Sequence, residues 1–272
     1  MLSPQFLNDL FANFPPGQNL LAEVRAFYGP ALVIERHDEP DGMSHFSIDA
    51  GTTDPAFKRA QIQLNTTTVR TKAALMHELL HLILPARGFN LVRALSLEPR
   101  HQVAQVAIDH IAEIMEKLTN SIHHDIFIDE FLRSGLSIEQ FLVDSVRQVP
   151  NYKREAKQYQ GQKIIEQAAW FPWSWWTFEY INNHLAAKHG RDGNEAARLN
   201  ERVEKFGSRI LADFKQTTRQ LRAWVLRGKH RDPRSYMEAL RELMDLLHMP
   251  KIQTFSSLTR VDGAAPRVDI IQ

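Results

Sequence analysis

Leu75-Met76-His77-Glu78-Leu79-Leu80-His81-Leu82-Ile83-Leu84 is the stretch on which the fold of this chain turns. It is apolar on almost every side, as a helix buried in a core would be. Within it His77 and His81 stand four residues apart, on one helical face, so their imidazoles can converge on a single metal ion at about 2.0–2.1 Å per nitrogen. Glu78 follows the first histidine and can lean over such an ion to take a proton from a water molecule. The competing reading is a core helix with two incidental histidines. Thr66, Thr67 or Thr68 can cap the helix, and Pro85 and Gly88 end it.

Working outward, two short helices are expected at residues 5–14 and 19–28, separated by Pro15-Pro16-Gly17 and closed by Gly29-Pro30. Three strand-like runs follow, Ala31–Glu35, His45–Asp49 and Ala60–Leu64, divided by turn residues at Pro40-Asp41-Gly42 and Gly51–Pro55. After the motif the chain reads as nearly all helix. The expected segments are Glu98 to about Asn120, then 122–133 with a stop near Gly135, then a helix opened by the capping box Ser137-x-x-Gln140. Further helices are expected at 151–169, up to about Ala187, from about 193 to 227 and from about 234 to 248. The fold class is therefore α+β: a small sheet with the motif helix, followed by a mostly α-helical C-terminal part. A weak boundary at Val149-Pro150-Asn151 divides residues 1–150 from an all-α region, 151–272.

Composition narrows the function little. With 43% hydrophobic and 24% charged residues among 272, the chain is an ordinary globular one, and a net charge of +1 names no partner. The absence of cysteine excludes disulfides, thiolate metal ligands and a catalytic cysteine. No apolar stretch approaches the ~20 residues that span a bilayer, and Met1–Gln5 does not open an export signal, so a cytoplasmic location without membrane contact is expected.

A catalytic zinc needs three protein ligands and an open position. No histidine follows closely after His81, where the chain reads Leu82-Ile83-Leu84-Pro85-Ala86-Arg87, so the third ligand comes from farther on. The candidates are Glu98, Asp109, His110, Glu113 and the cluster His123-His124-Asp125. Asp125 is the first choice. It lies among Ile122, Ile126, Phe127 and Ile128, where an unpaired carboxylate is costly to bury and a metal would pair it. Asn120 and His124, one helical turn apart, would then stand beside the ion, and His123 or His124 could steady a tetrahedral oxyanion. His124 is taken as the catalytic helper.

Residues 31–133, with Gln61–Asn65, the HExxH motif and the helix beyond it, resemble a small zincin-class zinc metallopeptidase, and more loosely the ImmA/IrrE-type proteins that cleave transcriptional repressors. The resemblance implies a Zn2+ cofactor held by His77 and His81, Glu78 as general base, and a protein or peptide substrate. It also implies that the strand at Gln61–Asn65 is an open edge along which an extended substrate pairs. Two alternatives stay open: a metal-bound module without proteolytic activity, and a peptidase gated by nucleic acid. The last comes from residues 191–234, where twelve Lys and Arg stand against six Asp and Glu. The tryptophan-rich segment Trp170–Trp176 reads as a packing knot between helices.

Overall fold

The computed structural model describes residues 1–38, 44–50, 57–94, 119–141, 201, 204, 214–246, 253–261 and 266–271. Their order is α1 (Pro4–Leu10), α2 (Pro15–Tyr28), β1 (Leu32–Arg36), β2 (His45–Ala50), β3 (Phe57–Leu64), α3 (Thr71–Ile83) and β4 (Leu91–Ala94). Then come α4 (residues 119–133), α5 (Ile138–Phe141), α6 (Phe214–Arg227), α7 (Tyr236–Leu246), β5 (Gln253–Thr259) and β6 (Arg267–Ile271). The class is α+β. The chain clusters into two compact units: residues 1–91, 127–141 and 254–272 in the first, and 92–126 and 142–253 in the second. Helix α4 runs unbroken through the division. The expected boundary at 150, the tryptophan segment and the candidates Glu98, Asp109, His110 and Glu113 lie outside the described residues.

The first unit is built on α3. Ten of its residues, from Thr71 to Ile83, are buried, and Leu75, Leu79, Leu80, Leu82 and Ile83 are closed to solvent. Burying one such leucine contributes about 1.5–3 kcal/mol, which explains why the helix takes the centre of the unit. It packs against α2, β2, β3 and α5. The helix begins later than the threonines suggest. Arg70 is the capping position and makes no side-chain cap. The threonines build the turn before it instead: the Thr68 hydroxyl accepts from the Arg70 amide, and the Thr71 hydroxyl donates to the carbonyls of Asn65 and Thr68. At the other end Pro85 opens a single 3-10 turn and Gly88, at φ 90°, closes it in the left-handed region.

The three expected strands form, but their order differs from the expectation. The sheet runs β1-β3-β2. β1 pairs parallel to β3, with Ile34 opposite Ile62, and β2 pairs antiparallel to it, with Phe46 opposite Ile62. β3 is thus the middle strand. Its ladder groups are taken on both sides, and Gln61–Asn65 cannot be the open edge that binds a substrate. On β3 the side chains of Ala60, Ile62 and Leu64 are buried while Gln61 and Gln63 are half-buried, the alternation of a strand with one face on the core.

Pro15 and Pro16 do not separate the first two helices. They start α2, at its first positions, where a missing amide hydrogen costs nothing and the proline φ is already helical. Half of the box at Ser137 forms: the Gln140 side chain accepts from the Ser137 amide at 2.8 Å, while the Gln140 amide donates to the Ser137 carbonyl. β5 and β6, unforeseen in the sequence, pair antiparallel from Phe255 opposite Ile271 to Thr259 opposite Arg267. In the second unit, Leu221, Trp224 and Val225 on α6 and Tyr236, Ala239, Leu240 and Leu243 on α7 are buried. Among the described residues no helix is long and apolar enough to cross a membrane.

Candidate metal centre

The helical spacing brings the Nε2 atoms of His77 and His81 to 3.1 Å from one another, with ring centroids 4.9 Å apart. Two nitrogens bound to one ion at ~2.0–2.1 Å and a tetrahedral angle lie about 3.3 Å apart, so this pair already has nearly the length of one edge of a zinc tetrahedron. His124 on α4 supplies a third nitrogen. One ligand atom from each of His77, His81 and His124 lies within 4.8 Å of the others, and among the described residues this is the group of three or more His, Asp or Glu able to hold a metal ion.

Helix phase explains why His124 arrives there. His124, Phe127, Ile128 and Phe131 stand at i, i+3, i+4 and i+7, one stripe of α4. The Phe127 ring meets His81 edge-on at 4.7 Å and His77 at 5.6 Å. Phe131 lies 6.4 Å and Phe141, from α5, 4.9 Å from the His77 ring. This aromatic collar packs on His77 and His81; His81 is buried, while His77 and His124 are half-buried. Burial pushes His77 down to about 4 and His123, 4% exposed, down to about 3. His77 is therefore neutral at physiological pH, the form in which an imidazole binds a metal. Glu78 is buried in the same helix, at 8% exposure.

Asp125, the expected third ligand, is not in the group. Its carboxylate is engaged by two residues more than a hundred positions on: His230 Nε2 lies 2.6 Å from Oδ2, and Arg231 donates through Nε to Oδ2 at 2.9 Å and through Nη2 to Oδ1 at 2.8 Å. Burial alone would raise the Asp125 pKa, but these two partners outweigh it and hold the carboxyl below its ordinary value. The buried carboxylate is paired, but with His230 and Arg231 of the chain itself. His124, expected to steady an oxyanion, places a nitrogen beside those of His77 and His81. The sequence carried a signal for it, since His124 heads the aromatic stripe of α4 and Asp125 does not.

Second contacts hold the two helices of the site. Arg87, just after α3, donates to Glu130 on α4 at 2.6 and 3.0 Å and to Glu23 on α2 at 3.2 and 3.0 Å. Of the basic residues expected to meet nucleic acid, Arg227 and Lys229 pair with Glu242, and Lys229 also with Glu238.

Compared with models of known protein families, with curated proteins and with solved structures, the chain matches none.

Proposed function

We propose that this chain is a zinc-dependent hydrolase that cleaves peptide bonds in a protein or peptide, with His77, His81 and His124 as the metal ligands and Glu78 as the general base. The observation that carries the reading is the convergence of three imidazoles beside a helix that also bears a carboxylate at the position next to the first ligand. The donor set fits zinc, which accepts three histidines and keeps a fourth position for water or substrate. A zinc ion bound there would supply a Lewis acid for the scissile carbonyl and make water acidic enough to lose a proton near pH 7.

The chain's own residues do the rest. To bind an ion, the two Nε2 atoms of His77 and His81 must both present lone pairs, so their protons sit on Nδ1. Glu78 accepts a proton from the attacking water and returns it to the leaving amine, so that one carboxylate serves as base and then acid. Phe127, Phe131 and Phe141 pack around His77, and Phe127 also on His81, which lowers the local dielectric there and strengthens charge interactions. The same collar also suits a closed metal site with a purely structural role. Glu78 separates the two readings, because a structural site has no use for a base.

The test compares the zinc-loaded wild type with Glu78→Gln on an unfolded, fluorescently quenched protein substrate. Both should hold equal zinc, with the variant slower by about 10²–10⁴-fold. Zinc bound by a wild type that cleaves nothing would leave only the structural role, and equal rates would remove Glu78 as the base.

A further inference from the structure

A buried polar knot closes on Asp125, one residue along α4 from His124. Asp125 is 3% and His230 1% exposed. Arg231 holds the carboxylate with a two-pronged grip, and His230 holds it from the same turn, Lys229–Arg231. The imidazole of His230 is itself fixed. Trp224 of α6 stacks on it at 4.4 Å with 14° between the planes, and the indole Nε1 donates to the Ala239 carbonyl of α7 at 2.9 Å. His230 Nδ1 is buried and has no hydrogen-bond partner among the described residues. Among the described residues the hydrogen bond of this ring goes to Asp125.

The carboxylate of the knot is buried while the Arg231 side chain is 37% exposed, so the pairing is a weak way to stabilise a fold; its fixed geometry instead selects one register. Here the element it indexes is α4. Side-chain ends lie about 5–6 Å from a helix axis, so turning α4 by about 10° would move His124 Nε2 by roughly 1 Å. Metal–ligand distances tolerate about ±0.2 Å. A small rotation is thus enough to lose a ligand.

We infer that His230 and Arg231 are positioning residues for His124: by gripping Asp125, its neighbour in the chain, they fix the rotation of the α4 turn that carries His124. This rests on His77, His81 and His124 being the ligands.

The experiment titrates cobalt(II) and then zinc, with a competing chelator, into the metal-free wild type, Arg231→Lys, His230→Asn and Asp125→Asn. Leu240→Ala, a buried change in α7, serves as a variant destabilised elsewhere. Arg231→Lys keeps the charge and gives up the two-pronged grip, so it folds where a harsher change would not. The three knot variants should bind zinc about 10–100-fold more weakly, while at saturating cobalt they regain the tetrahedral visible spectrum of the wild type. Leu240→Ala should bind as the wild type does. Folded knot variants with wild-type affinity would overturn the positioning role and leave the ligand assignment standing. A cobalt spectrum lost only in Asp125→Asn would make Asp125 a ligand and overturn it as well. A wild type that binds no cobalt or zinc would remove the metal centre and this role with it.

Discussion

Tyr28→Phe removes one atom from the support of the motif helix. Tyr28 is fully buried on α2, and its hydroxyl donates to the Leu82 carbonyl at 2.7 Å. Leu82 lies in the last turn of α3, where carbonyls run out of helical amide partners. Phenylalanine keeps the ring and its edge contact with Phe27, at 4.9 Å, so the change isolates the hydrogen bond. The loss leaves a buried carbonyl unsatisfied and should cost about 1–3 kcal/mol. For a chain of this size that corresponds to a melting point lower by roughly 3–10 °C. The assay is urea denaturation of the metal-free proteins, because bound metal would mask the difference by mass action. The urea dependence should keep its slope. Burial holds the phenol far above its ordinary pKa, so the loss should be the same at pH 7 and pH 9. A midpoint within error of the wild type would refute the reasoning, showing that the Leu82 carbonyl finds another donor.

Arg87→Met, which unties Glu130 and Glu23, should destabilise by about 1–2 kcal/mol, and 1 M salt should shrink the difference if the pairing is as electrostatic as the geometry shows. Leu79→Ala, in the wall of the motif helix, should cost about 2–5 kcal/mol in the same urea measurement. Acid should unfold the metal-free protein in two ways. His77 and His123 are held neutral, down to about 4 and about 3, so the unfolded chain takes up protons first below its ordinary value of 6.5. The stability tied to their neutral forms is complete above pH 6.5 and lost as pH falls through about 4. Asp125 adds to the loss only below its ordinary 3.8, since its folded pKa is lowered. Urea midpoints that stay level from pH 7 to pH 4 would contradict the burial of the two histidines.

Local pattern made the motif helix, the three strands and the box at Ser137 legible, because each is written within about ten residues. What the sequence hid is tertiary. That β3 sits between β1 and β2 depends on a parallel pairing across the chain, which alternation along one strand cannot reveal. The charge on Asp125 correctly announced a partner, but His230 and Arg231 lie far beyond any local window. One residue on a helix is about 100° of rotation, so choosing between His124 and Asp125 needed the phase set by Phe127 and Phe131. Pro15 and Pro16 were ambiguous in a simpler way, since a proline pair ends one helix and starts another equally well. At the C-terminus, Thr254–Thr259 and Val268–Ile271 carry strand chemistry that a helical neighbourhood made easy to pass over.

The most direct test is the zinc content of the protein purified without added metal, by elemental analysis, for the wild type, His124→Ala and Asp125→Ala. The three-histidine centre predicts about one zinc per chain in the wild type, almost none in His124→Ala, and zinc that Asp125→Ala still binds, though more weakly. Full zinc in His124→Ala with none in Asp125→Ala would contradict it, as would a wild type that stays empty when zinc is supplied.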